Sequence, residues 1–387
     1  MEKANAGRSK MPLRDRVLAY VVEKHRRLLV LPLVIAAILL ITLIISSSVA
    51  ISGLKKQTAA PHDTTIAEND PNLKLTFFGD IVFGRNIAKL GDTVGYDKLF
   101  IPTADLIKDS DIVMANLDMA IITGDVKDYP KRDKYSYQYT EAKNIEHIKN
   151  AGINVVSLAN DHIADLGIEA LAEAFETLES LEISYVGAGY DNIEAGAYKK
   201  IEANGRSVGI IGMVQGFPKD YAAREGQKGV ASSKNANTTL IVNNAREKCD
   251  IVVVYVDWGY EYMLTNTEAM RKLGQTLIDA GATIVVGTNP RVVLPMEKYR
   301  NGLIVYSLGS FIFDSANSRT CDSIALNLTM DTESKITVEI VPLRINSGIP
   351  EPTTNKLYTN RIFTTLTKYM ADDSYTIKDS RLYIELG

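Results

Sequence analysis

Short runs of β-branched and aliphatic residues recur along this chain: LKLTFF, DIVMAN, INVVSLA, ISYVGAG, IVVVYVD and TIVVG. Runs this short and this apolar read as strands buried on both faces. Helical patterns around residues 141–150, 167–180, 236–248 and 266–280 separate them, so the rhythm is α/β with parallel units. Two hairpins interrupt it. One has strands near 196–203 and 207–214 around Asn204-Gly205, a dipeptide that supplies the positive φ angles of a two-residue loop. The other is expected around Asn301-Gly302, followed by strands near 303–308, 323–330 and 335–342. Parallel units mixed with hairpins point to two packed sheets flanked by helices rather than one open sheet. After Pro350 the pattern weakens, and residues 346–387 read as a small C-terminal appendage with a helix near 357–370.

The residues that end these runs are the second constraint. Asp80 follows LTFFG, Asp118 follows DIVMANL, and Asn160-Asp161-His162 follows VVSLA. Asp257 closes IVVVYVD, Asn289 follows TIVVGT, and Asp314 follows FIF. Carboxyl ends of strands form the ligand crevice of α/β folds, so these oxygens can meet there. Taken singly, each is an ordinary turn former or helix cap, a description that suits Asp161 and Asp314 well. At successive strand ends they argue for one shared polar site. Several carboxylates in one crevice repel unless a cation or shared protons neutralise them. Of the histidines, His25 and His62 precede the folded part and His147 falls on a helix surface, which leaves His162. A histidine-rich zinc site is thereby excluded. An oxygen set of Asp80, Asp118, Asn160 and Asp257 suits Mg²⁺, Mn²⁺ or Ca²⁺, and the sequence fixes no particular cofactor.

Leu28 to Ile45 is an 18-residue run without charge, long enough as a helix for about 27 Å of hydrocarbon. Residues 1–27 carry eight Lys or Arg against three acids, which keeps that end cytoplasmic. The expected organisation is a basic cytoplasmic segment 1–27, a transmembrane anchor 28–50, a polar linker 51–72 and an extracytoplasmic domain 73–345, in a single-pass protein of the cell membrane. A cleaved signal peptide ending at Ser48-Val49-Ala50 is the rival reading, although the apolar run exceeds the usual roughly 7–15 residues. The formal charge is −4 overall and +5 over residues 1–27, leaving −9 for the remainder. Such a chain is a poor trap for nucleic acid. Cys249 and Cys321 form no CxxC pair; they are either two buried thiols or one disulfide.

The stretches "LTFFGDIVFGRN", "ANLD", "SLANDHIADLG", "VDWGYEY", "LIDAGATIVVGTNPRVVLPMEKYRNGLIVYSLGSFIFD" and "SRTCDS" resemble, in order and spacing, the poly-γ-glutamate capsule biosynthesis proteins of the CapA (PgsA) family. The resemblance spans about residues 73–345, and the single N-terminal anchor matches the membrane-bound members. It implies a four-layer αββα sandwich, a variant of the calcineurin-like metallophosphoesterase fold, with metals between loops at strand ends. It also implies Asp80, Asp118 and Asn160 as metal ligands and His162 as the acid that protonates a leaving group. The departures are specific. The family has His-Trp-Gly where Asp257-Trp258-Gly259 stands, Gly-His-His-Pro-His where Gly287-Thr288-Asn289-Pro290-Arg291 stands, and Glu in place of Asp118.

Asn289 is a weaker oxygen donor than the histidine it replaces, and Arg291 opposes any nearby cation. At 4 Å and an effective dielectric of about 20, that opposition is roughly 4 kcal/mol per unit of charge product. An eroded two-metal centre is expected. Arg85, Arg291 and Arg319 are then free to pair with Asp80 and Asp257 of the same site or with glutamate units of a ligand. Two functions follow from the resemblance. One is an anchored accessory protein of poly-γ-glutamate synthesis or export, working beside other membrane subunits of the synthetase or exporter and touching nascent anionic polymer. The other is a Mn²⁺- or Mg²⁺-dependent phosphoester hydrolase with His162 as general acid. An anchored binding domain of another pathway is a third reading.

Overall fold

Leu73–Ile81 is the central strand of the larger sheet, and its side chains are buried on both faces except at Lys74. The computed structural model describes residues 70–134, 136–216 and 218–386, together with Pro12 and Arg14. The anchor expected over 28–50, and most of the segments on either side of it, lie outside the described residues. Among those that are described, no helix is long and apolar enough to cross a membrane.

On one side Leu73–Ile81 pairs in parallel with Ile112–Leu117, which leads through Val155–Ser157 to Ser184–Val186. On the other it runs antiparallel to Asp322–Met330, followed by Ile336–Asn346, Arg381–Leu386 and Thr376–Lys378. The second sheet has the order Met296–Tyr299, Gly302–Val305, Ile284–Thr288, Ile251–Asp257, Arg206–Val214, Lys199–Ala203. Its four inner strands are parallel.

One apolar cluster holds Leu75, Phe77 and Met114 of the first sheet together with Ile210, Val253, Tyr255 and Val286 of the second. The sheets therefore pack face to face. Helices Thr238–Lys248 and Glu268–Asp279 cover the far face of the second sheet, setting Val242, Ala245, Met270 and Leu277 against Ile211, Val252, Val254 and Val285. Thr267 starts the latter helix by accepting from the Met270 amide. Helix Ala170–Ser180 lies against the first sheet, and none of its residues joins the shared core, which places it on the outer face. The layering is helix, sheet, sheet, helix.

Several expectations need adjustment. The helix near 141–150 is a 3₁₀ turn, Ala142–Ile145, running into the single turn Glu146–Asn150. The second hairpin turns at Arg300-Asn301, because Tyr299 pairs with Gly302. Residues 346–387 do not form an appendage: Arg381–Leu386 hydrogen-bonds to Ile336–Asn346, and helix Lys356–Leu366 buries Ile362, Phe363 and Leu366 in the shared core. Sequence pattern misses this because each element is short and half-polar. Cys249 and Cys321 are free buried thiols.

Candidate functional site

Parallel strands of both sheets end at one crevice, and the side chains singled out in the sequence are carried there by different local devices. Asp80 sits where the pairing of Leu73–Ile81 with Ile112–Leu117 shifts register. The shift accompanies a close backbone approach, since a Cβ on Gly79 would lie 1.7 Å from the Gly309 carbonyl oxygen. At this bulge Asp80 is fully buried and its Oδ1 accepts from Asn116 Nδ2 at 2.8 Å. Asp118 follows the next strand and is also buried.

Asn289 and Arg291 leave the second sheet through a sharp corner. Both hold left-handed φ angles, 84° and 56°, a region that non-glycine residues enter at a cost of about 1–3 kcal/mol. The corner carries the Arg291 side chain to the carboxylates of the first sheet. Its Nη2 donates to Asp118 Oδ2 at 2.6 Å and its Nε to Glu261 Oε1 at 2.6 Å. Nη1 lies 3.9 Å from Asp80 Oδ2, and the guanidinium sits 4.3 Å from the centre of the Phe313 ring. Arg291 is only 1% exposed. Burial disfavours its charge, but Asp118, Asp80 and Glu261 outweigh burial and fix it as a cation.

Burial pushes the Asp80 carboxyl up to about 7, helped by the charge of Asp118 and opposed by Arg291 and Asn116. Asp257 is driven well above the carboxylate range by burial and by the charges of Asp161, Asp118 and Asp80. The crevice holds more acid than its resident cations neutralise.

On its other side, Asn160 binds the loop it belongs to. Its Oδ1 accepts from the backbone amides of His162, at 3.1 Å, and Ile163, at 2.8 Å, while its Nδ2 donates to Asn116 Oδ1 and the Leu117 carbonyl. Both lone pairs of Oδ1 are thereby used, so Asn160 is a loop brace rather than the metal ligand expected. His162 Nδ1 lies 2.6 Å from Asp165 Oδ2, which also accepts from the Gln138 amide. Lys134 Nζ also lies 3.2 Å from His162 Nδ1, and His162 Nε2 lies 3.8 Å from Asp161 Oδ1. Lys134 Nζ donates to Asp165 Oδ1 at 2.7 Å and to Asp161 Oδ2 at 2.8 Å. Burial lowers the His162 pKa, but Asp118, Asp165 and Asp161 raise it further, and the net shift is upward. Burial raises the Asp161 pKa, but His162 and Lys134 more than reverse this, and it ends below its usual value.

The remaining expectations divide. Arg85 forms an ion pair with Asp314, and both it and Arg291 lie over Phe313, so this pair borders the site. Asn289 does not line it: its Nδ2 donates to the Trp258 and Gly259 carbonyls and ties two loops together. Arg319 is exposed on the loop after Phe313 and pairs with none of these carboxylates. Asn116, Lys134, Asp165, Glu261 and Phe313 were not foreseen. Asp165 had a legible signal, standing three residues after His162, whereas Lys134 lies in the KRDKYSYQY loop, where no periodicity marks it.

A dinuclear metal centre does not fit these residues. The Arg291 guanidinium occupies the space between Asp80 and Asp118 where such a cation would balance charge, and Asn160 has no free oxygen.

Fold and site together define a two-sheet α/β domain with a carboxylate-rich crevice at its strand ends, and the chain belongs to the bacterial capsule synthesis protein PGA_cap family, whose profile matches residues 74–315. It is 29% identical to the capsule biosynthesis protein CapA of Bacillus anthracis over 98% of this chain and 92% of that one. It is also 29% identical to the PGA biosynthesis protein CapA of Bacillus subtilis, over 82% of this chain and 83% of that one. Among solved structures, the NAD nucleotidase of Haemophilus influenzae superposes with a TM-score of 0.44 at 12% identity, covering 77% of this chain and 56% of that chain.

Proposed function

We propose that this protein is a membrane-anchored accessory component of poly-γ-glutamate capsule synthesis or export, with a metallophosphoesterase-like domain whose two-metal centre has been replaced by an internal ion pair. The charge-free run 28–45 behind a basic segment supports a single-pass anchor with the domain outside the cell membrane. The names of the Bacillus relatives support the polymer and the capsule pathway. The observation that carries the accessory reading is Arg291, buried and hydrogen-bonded to Asp118. A two-metal hydrolytic centre would need cations that Asp80 and Asp118 cannot hold while that guanidinium lies between them. Partners would be the other membrane subunits of the synthetase or exporter, with nascent polymer as a transient ligand.

Deleting the gene from its host and measuring cell-surface glutamate polymer tests this reading. Output should collapse and return with the intact chain, but not with a chain lacking residues 1–50. Unchanged polymer in the deletion strain would end the proposal.

A further inference from the structure

Residues 353–370 carry Lys356, Arg361 and Lys368 and no acid, although the chain beyond residue 27 is net negative. Helix Lys356–Leu366 in this stretch sets Arg361 beside Arg344 of strand Ile336–Asn346, and the two share one counter-ion, the buried Asp322. Arg361 takes that carboxylate with two groups, Nε on Oδ2 at 2.6 Å and Nη2 on Oδ1 at 2.7 Å, so one charge is balanced by one charge. Arg344 reaches Asp322 through Nη1 alone, which it also donates to the Ser318 carbonyl; its Nε and Nη2 have no partner among the described residues. Glu351 stands opposite Arg344 on the neighbouring strand but accepts from Asn346 instead. Arg319, next to Ser318, is exposed and makes no ion pair with any described residue.

These guanidiniums are held in place while still reaching solvent. Tyr358 lies under both Arg344, at 4.4 Å, and Arg361, at 5.6 Å, and the Ser318 carbonyl accepts from both. Their side chains are 13% and 27% exposed. A fixed planar fork with unfilled N–H groups suits a carboxylate and loses little freedom on binding it. We propose that this is the docking face for a linear polycarboxylate, with Arg344 and Arg319 each taking a carboxylate of the chain and Arg361 and Asp322 holding Arg344 in position. The proposal rests on the accessory reading and names the surface that nascent glutamate polymer touches. Charge complementarity selects it: Asp80, Asp118 and Asp257 make the crevice repel a polyanion, whereas this face carries more cations than acids. It also adjoins the crevice, because the loop bearing Ser318 and Arg319 starts at Asp314, the partner of Arg85 on the border of the site.

The purified full-length chain should be titrated into a fluorescent γ-linked glutamate oligomer and followed by anisotropy. Binding is expected, weakening as salt rises. Affinity should fall about tenfold in Arg344→Gln, which leaves Asp322 paired with Arg361, and about threefold in Arg319→Gln, whose side chain is free in solvent. The Lys199→Gln control removes an equal charge from the edge of the second sheet and should change nothing. No binding by the wild-type chain, unchanged affinity in both arginine variants, an equal loss in Lys199→Gln, or preference for phosphatidylglycerol vesicles over the oligomer would each overturn the assignment. A wild-type chain that restores surface polymer to the deletion strain yet binds no oligomer would sink this face alone and leave the accessory role standing.

Discussion

The Arg291 side of the crevice and the His162 side both set buried carboxylates against basic groups yet reach balance differently. Around Arg291 the counter-charge is a guanidinium threaded from the second sheet, 1% exposed and bonded to Asp118 and Glu261. Around His162 it comes from Lys134 and from a proton the imidazole retains above its ordinary range, beside an Asp161 side chain that is 39% exposed. A cation tethered to the backbone closes a site against exchange; a proton on an imidazole leaves it open to competition from other cations.

The contrast can be broken most severely at its tethered end. Arg291→Met leaves Asp118 and Asp80 buried without their cation and should destabilise the domain by about 3–5 kcal/mol in urea unfolding. Lys134→Met strips the hydrogen bonds from Asp165 and Asp161, and a loss of about 2 kcal/mol is expected in the same measurement, because Lys134 is closer to water.

Titration sharpens the comparison further. Asp80 and Asp257 both have folded-state pKa values above the unfolded carboxylate value near 4. Their protonated forms contribute stability that is complete below that pH and is lost as pH rises through the folded values, about 7 for Asp80. Wild-type stability should therefore decline from about pH 4 upward, by at most ~1.4 kcal/mol per pH unit for each carboxylate. Asp257→Asn removes one of the two, so its melting temperature should exceed that of the wild type at pH 7.5 and match it at pH 4. The smallest effect is expected for Glu261→Gln, where the lost partner is half exposed: about 1 kcal/mol or less, and smaller still in high salt.

Most of the strand framework was legible in the sequence, because strands buried on both faces write continuous apolar runs, as Ile251–Asp257 and Ile284–Thr288 do. Asn204-Gly205 named its own turn for the same reason, a backbone requirement expressed in residue type. The C-terminal strands escaped because Thr376–Lys378 is exposed throughout and its neighbour alternates. At the site, the strand-end rule located Asp80, Asp118, Asp257 and His162, since one-dimensional position determines which residues sit at the carboxyl edge. It could not say which way each side chain is turned. Asn160 and Asn289 lie at the expected positions, and both are committed to backbone groups. Lys134 reaches the site from a loop without periodicity, and nothing local marks it.

Arg291 also restricts the order in which the domain can be assembled. Its backbone follows the strand Ile284–Thr288 of one sheet, while Asp118 follows Ile112–Leu117 and Asp80 lies in Leu73–Ile81 of the other. A half-built chain would hold a guanidinium, or a pair of carboxylates, in apolar surroundings with no opposite charge in reach. Docking of the two sheets is therefore coupled to the closing of this contact, and hydrogen exchange should find the two sheets opening as one unit.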